Sequence, residues 1–279
     1  MPAALGLLYL VILAAFLNLF FQFPLTPVLA RQLTGDLNLV ALAVSAYSLA
    51  NLVGNLFAGL VVDRFPKAPV LAGGLGLGAI ALVGAGAASS IGGLVGGLML
   101  NGLGLALVTP AAFALLSQSL PEAARARGMA ASGAAIGLAA MIGPPITGVL
   151  SDRLGPGPTL QAAGIFLLVV AVVGYLALRR LPDASEPDVG LGDIQAVIAD
   201  RRLHLGFAGA FVLMFANGGL VFALPPHVKG LGLSGAMIGL FFSLFALAAI
   251  GVFLSPLSKR AYRGDANLVM AAGAATIAV

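Results

Sequence analysis

Gly59-Leu-Val-Val-Asp63-Arg64-Phe65-Pro66-Lys67 is a short charged turn set between two long apolar runs. Its surroundings decide the fold. The runs on either side, Val40–Val62 and Ala68–Ser89, are each long enough to cross about 30 Å of hydrocarbon, which takes roughly 20 residues at about 1.5 Å of rise. Two antiparallel membrane helices joined by a tight charged turn are therefore expected. Extending the count outward predicts further helices at Ala4–Ala30, Ile91–Leu116, Met129–Leu150, Leu160–Leu178, Leu203–Leu224 and Ala236–Leu254. A ninth run begins at Asn267 and reaches Val279 after 13 residues, too few to span a bilayer, so a natural frame that continues is expected. The first run lacks a basic start and is too long for a secretory signal.

Composition agrees with an all-α polytopic membrane protein. The chain is 60% hydrophobic and 9% charged, against about 25% charge in soluble domains. The net charge of +4 arises from cations that fall singly or in pairs between apolar runs, without the basic stripe and interleaved aromatics of a nucleic-acid surface. With no cysteine, disulfide and thiolate chemistry are excluded. His204, His227 and the carboxylates are scattered, so no metal site and no cofactor is expected. Gly76-Leu-Gly78-Ala-Ile-Ala81 matches the dinucleotide pattern G-x-G-x-x-A but sits inside a helix with no strand before it. Gly74, Gly78, Gly92, Gly96, Gly133 and Gly137 recur in pairs four residues apart, the spacing of helix packing in lipid.

Orientation follows from cation counting, because Lys and Arg are retained on the cytoplasmic side. With the N-terminus inside, Arg64, Lys67, Arg125, Arg127, Arg179, Arg180, Arg201, Arg202, Lys259, Arg260 and Arg263 lie inside. Only Arg31, Arg153 and Lys229 lie outside, eleven against three. A multi-pass protein of the inner membrane with a cytoplasmic N-terminus is expected. The inner connection around 181–202 divides a six-helix bundle, 1–180, from an incomplete second bundle, 203–279. Its Pro182-Asp-Ala-Ser-Glu-Pro187-Asp188 stretch is a flexible linker. Asp193 then caps a short amphipathic helix with Ile194, Val197 and Ile198 on one face, lying on the membrane surface.

The charged turn resembles the Gly-x-x-x-Asp-Arg-x-Gly-Arg-Lys motif between helices 2 and 3 of the major facilitator superfamily of transporters. Pro66 and Ala68 replace the usual glycine and second cation. The resemblance implies a conformational latch of Gly59, Asp63, Arg64 and Lys67. In it Gly59 allows close packing, and Asp63 accepts hydrogen bonds from Arg64 and from a helix N-terminus across the domain interface, worth about 0.3–1 kcal/mol and up to about 2. In the family that helix is the eleventh. A second segment, Ala139-Ala-Met-Ile-Gly143-Pro144-Pro145-Ile-Thr147-Gly148, is followed by Ser151-Asp152-Arg153. It resembles the Gly-x-x-x-Gly-Pro-x-x-Gly-Gly motif of antiporter branches. Ala139, Gly143, Pro144 and Gly148 then form a kinked, closely packed surface that seals helix 5 against helix 8. The family's helix 4 motif fails: its arginine is Leu98 here, ahead of Gly102, and Asn101 is the only polar group nearby.

Internal repetition supports the two-bundle reading. Phe16, Asn18, Phe23 and Pro27 align without a gap on Phe215, Asn217, Phe222 and Pro226, and the charged turn meets Lys259-Arg260-Ala261-Tyr262-Arg263 after a three-residue shortening. A substrate cavity between such repeats lies near mid-membrane. Asn18 and Gln22 share a face of helix 1 and Asn51 and Asn55 a face of helix 2. With Asn101, Asn217, Phe16 and Phe215 they are the cavity candidates, and interhelical hydrogen bonding at about 0.6 kcal/mol each is their alternative role.

No Asp, Glu, Lys, Arg or His falls in the middle of a predicted span, which leaves open coupling through groups in a continuing part of the chain, facilitated transport, and titration of Asp63 and other rim residues. Amides and phenyl rings without fixed charge suit a neutral or amphipathic solute. The expected function is export of small, drug-like or amphipathic molecules by alternating access, with the lipid bilayer, the solute and protons as partners. A facilitator or importer of neutral solutes such as sugars is the second reading. A non-transporting sensor or an inactive truncated product is the third. No nucleophile, base and orienting group gather at one depth, so an enzyme is not expected.

Overall fold

The computed structural model describes residues 2–181 and 201–254. Among the described residues there are eight helices and no strand: α1 (Pro2–Leu33), α2 (Leu37–Arg64), α3 (Lys67–Gly86), α4 (Ile91–Ser119), α5 (Glu122–Leu154), α6 (Pro156–Leu178), α7 (Arg201–Gly230) and α8 (Gly235–Leu254). The first six are long and apolar enough to cross a membrane. The amphipathic segment after Asp193, the ninth run from Asn267 and the second charged turn at Lys259–Arg263 lie outside the described residues. Arg201 and Arg202, placed by the sequence at the end of the linker, are the first described residues of α7.

Several helices overrun their apolar cores. α5 starts at Glu122 rather than Met129, carrying Arg125 and Arg127 on its first turns, with an acidic residue placed where the helix dipole favours it. α7 continues through Pro225 and Pro226 to Gly230 instead of stopping at Leu224. Proline deletes one backbone hydrogen bond, but in hydrocarbon no other conformation satisfies the remaining backbone groups, so the helix persists. Side-chain caps fix two starts: Asp36 accepts from Asn38 N at 2.8 Å and Ser90 from Gly93 N at 3.2 Å. Gly155, at φ 88°, turns the chain between α5 and α6 in one residue, and Pro156 begins the next helix.

α3 packs against α4 and α6, α2 against α4, and α1 against α5 and α6. α8 lies along α5, and α1 also touches α7. Leu8, Ile12, Leu71, Leu75, Leu115, Leu116 and Leu167 form one buried cluster, and Leu25, Val40, Leu82, Leu94, Leu98 and Leu160 another. The outer surface is also apolar, with Leu56 70%, Phe57 59% and Ile80 64% exposed. A soluble protein does not present such a continuous face; a bilayer covers it.

Because lipid supplies little hydrophobic drive between helices, small residues set the seams. A Cβ added at Gly74 would sit 2.6 Å from Gly104 O, and one at Gly104 2.8 Å from Gly78 N. Gly97 meets Ala85 Cβ at 2.7 Å. Of the glycines expected to pack, Gly74 and Gly78 do so, whereas Gly92, Gly96, Gly133 and Gly137 have nothing within 4 Å. On α4 the seam runs through Gly97 and Gly104, a register one residue from Gly96, which is about 100° around the helix.

Candidate functional site: an amide cluster beneath a helix clasp

Asn18, Gln22 and Thr26 repeat at every fourth residue of α1 and are all buried. Gln22 Nε2 donates to Asn101 Oδ1 at 3.0 Å, and Asn101 Nδ2 donates to Gly78 O at 3.0 Å. One amide chain thus runs from α1 through α4 to the α3 backbone. Asn18 Oδ1 and Nδ2 and Gln22 Oε1 are buried with no hydrogen-bond partner among the described residues. Each orphaned group costs about 1–3 kcal/mol relative to a satisfied one, and a solute with a matching donor and acceptor would relieve that cost.

The other cavity candidates disperse. Asn51 Nδ2 donates to Gly102 O at 3.0 Å, a tie between α2 and α4, and Asn55 donates back to Asn51 O at 2.8 Å from an exposed position. Gly102 receives the α2 backbone there, since an added Cβ would lie 3.0 Å from Asn51 N. Phe16 packs on the first apolar cluster. Phe215, expected in the cavity, is 76% exposed and stacks on Phe211 with centroids 6.2 Å apart. Asn217 is half-buried and forms no hydrogen bond to Asn18. The α1 copy of the repeat is enclosed by α2, α4, α5, α6 and α7, while the α7 copy has fewer neighbours among the described residues. Leu98 is fully buried in the second cluster, where an arginine would have no partner. A separate pocket of about 500 Å³ opens between the ends of α1, α2 and α7, lined by Arg31, Val40, Phe222, Pro226, His227 and Leu231.

The helix 5 segment serves two neighbours. Gly143 faces α1, 3.1 Å from Phe20 Cβ for an added methyl, rather than α8. Gly148 faces α8, where a Cβ would meet the Gly235 carbonyl carbon at 2.6 Å. Gly239 in turn lies against Pro144 and Pro145. Ala139 and Thr147 are fully buried, and Thr147 Oγ1 returns to Gly143 O at 2.9 Å. Ser243 Oγ donates to Met141 O at 2.5 Å, so the α5–α8 seam extends from Gly235 to mid-helix.

At the end of that seam Asp152 gathers three donors. Its Oδ1 accepts from Lys229 Nζ and Gly235 N, both at 2.8 Å, and its Oδ2 from Ala236 N at 3.0 Å. A helix start leaves its first N–H groups unsatisfied and carries partial positive charge; α8 finds its cap on α5. Sequence reasoning singled out neither Asp152 nor Lys229. A signal was present, since Gly148-Val-Leu-Ser-Asp152-Arg153 repeats the spacing of Gly59-Leu-Val-Val-Asp63-Arg64.

The charged turn itself is open at the opposite end of the bundle. Gly59, expected to allow close packing, has nothing within 4 Å among the described residues. Arg64, exposed, does not bond Asp63, because consecutive helical residues point apart. Lys67, one of the expected latch residues, is the first residue of α3 and only 2% exposed.

The family model of the Major Facilitator Superfamily matches residues 8–279. The chain belongs to that superfamily. A comparison with curated proteins finds no match. Among solved structures, a bacterial homologue of the human lysosomal transporter Spinster, inward-facing and unoccupied, is similar with TM-score 0.76 and 19% identity. That likeness covers 93% of this chain and 63% of that one. The human organic anion transporter MFSD10 (TETRAN) is similar with TM-score 0.62 and 19% identity, over 88% of this chain and 69% of that one. A peptide transporter of the POT family follows with TM-score 0.60, 14% identity and coverages of 78% and 51%. These superfamily structures share the fold: an integral membrane protein of helical bundles, as a transporter is built.

Proposed function

We propose that this superfamily member exports small neutral or amphipathic molecules by alternating access, with the amide cluster of Asn18, Gln22 and Asn101 as the polar contact for the solute. The observation that carries the proposal is the orphaned Asn18 amide, buried in a membrane helix beside the hydrogen-bonded Gln22–Asn101 pair, whose Gln22 Oε1 also lacks a partner among the described residues. Its donor and acceptor suit a neutral group that offers both, and surrounding apolar side chains suit an amphipathic body. In this reading the N-terminus and the Asp63 turn face the cytoplasm of an inner-membrane protein. Gly59, Asp63, Arg64 and Lys67 latch that side in the opposite conformation, and the α5–α8 seam closes the outer side. Protons are the candidate coupling ion.

Inverted membrane vesicles carrying the natural protein test this directly. On energisation they should accumulate uncharged amphipathic dyes, and Asn18→Leu should abolish the gain. Absence of accumulation over a broad panel would sink export. A facilitator of neutral solutes is the second reading, favoured by the lack of ionisable residues in mid-span. Counterflow that persists in protonophore would select it.

A further inference from the structure

We infer, resting on the carrier reading above, that the solute carries a primary carboxamide or its donor–acceptor equivalent, a urea, and that Asn18 and Gln22 read that group. The Gly78 carbonyl on α3 can only accept. Asn101 therefore turns Nδ2 to it, at 3.0 Å, and presents Oδ1 to α1. Gln22 has to meet that oxygen with Nε2, again at 3.0 Å, and the second N–H of the same nitrogen points to Asn18 O at 3.4 Å. Backbone carbonyls at both ends thus fix the polarity of the relay. The atom left over on Gln22 is an acceptor, Oε1, and not a donor.

Beside it, one turn earlier on the same face of α1, the whole side-chain amide of Asn18 is also unpaired among the described residues. The orphaned set is two acceptors, Gln22 Oε1 and Asn18 Oδ1, and one donor group, Asn18 Nδ2. Asn18 is 1% and Gln22 4% exposed, so the set is already enclosed, and no residue further along the chain reaches it in this conformation. A head group takes its place there as the helices around α1 move in the proposed cycle. A primary carboxamide is the complement of the set. Its C=O accepts from Asn18 Nδ2 while its syn N–H donates to Asn18 Oδ1, the cyclic pair that two amides form, and its anti N–H serves Gln22 Oε1. A carboxylate brings no donor and sets its charge against two amide oxygens. An ammonium offers nothing to Asn18 Nδ2, an ester or tertiary amide has no donor, and a single hydroxyl has one donor where two are needed. Every such mismatch leaves a buried polar group unpaired, which is what makes a site of this kind selective.

A ligand series built on para-butylbenzamide tests this, titrated calorimetrically against the purified natural protein in nanodiscs. N-methylation leaves only the anti N–H, closing the amide into the corresponding lactam leaves only the syn N–H, and N,N-dimethylation leaves neither. Affinity should fall about tenfold for each donor lost, placing the primary amide about a hundredfold ahead of the dimethyl compound. Asn18→Leu should level the series, and Gln22→Met should bring the primary amide down to the lactam. If Gln22→Met fails to fold, the lactam and the N-methyl compound on the natural protein decide. A dimethyl amide, ester or carboxylate that binds as tightly as the primary amide, and loses that binding in Asn18→Leu, overturns the carboxamide class and leaves the site standing. Equal affinity along the series in the natural protein, the response of a site already filled by a bound water, also overturns it. No binding by any member, or binding that Asn18→Leu does not alter, overturns the reading of the amide cluster as the solute site along with it.

Discussion

Replacing Gly148 with alanine should open the Asp152 end of the protein. The added Cβ would stand 2.6 Å from the Gly235 carbonyl carbon, about 0.8 Å short of the 3.4 Å at which ordinary contact begins. Backbone cannot rotate away as a side chain tip can, so α5 and α8 must separate. A shift of that size lengthens the Asp152 bonds to Gly235 N and Ala236 N, 2.8 and 3.0 Å at present, to roughly 3.6–3.8 Å, beyond hydrogen-bond range. Overpacking of this kind costs about 1–3 kcal/mol, which changes a two-state ratio by about five- to 150-fold. Leu154 and Leu233 are both exposed on either side of the clasp, at 53% and 39%, and spin labels on cysteines placed there report the separation by pulsed electron resonance. The variant should show a longer distance as its major population, while Gly133→Ala and Gly137→Ala, on the same helix but facing open space, should match the parent. A Gly148→Ala distribution that overlays the parent would refute the seam as a gate.

Asn101→Leu should lower stability by about 1–3 kcal/mol, because it removes the Gln22–Asn101 and Asn101–Gly78 hydrogen bonds that tie α1, α4 and α3 together; thermal unfolding in detergent reads this. Asn18→Leu should leave the melting temperature unchanged or slightly raised, since an unsatisfied amide is removed, while solute affinity falls. A clear loss of stability would mean that Asn18 holds a bond within the fold. Gly97→Ala should destabilise by about 1–3 kcal/mol and Gly96→Ala by less than about 0.5 kcal/mol, because only the former meets α3; equal effects would contradict the assigned helix register.

The helices were legible because hydrocarbon thickness imposes a length that few other constraints can imitate, and eight of the expected runs coincide with helices. Their ends were not, since Glu122 or the Pro225-Pro226 pair interrupts hydropathy without interrupting the backbone. Asn18, Gln22 and Asn101 stood out as amides in apolar helices, yet the pairing of Gln22 with Asn101 needs the α1–α4 contact to be known. Asp152 was harder still. Its main partners are the backbone N–H groups of Gly235 and Ala236, which leave no trace in side-chain identity, so only the spacing shared with Asp63 hinted at it. Glycine spacing revealed that small residues form seams but not which of two adjacent glycines, such as Gly96 and Gly97, faces the neighbour.

The buried polar groups of the described helices are amides and hydroxyls, Asn18, Gln22, Thr26, Asn101, Ser132, Thr147, Thr159 and Ser243, with Lys67 the single buried charge and placed at a helix end. Each elementary charge carried through the membrane field would couple to voltage by about 2.3 kcal/mol per 100 mV. Under the alternating access proposed above, rocking the described helices carries no fixed charge through the centre of that field, so these helices contribute no gating charge and membrane potential acts on them through whatever charge a solute or co-ion brings.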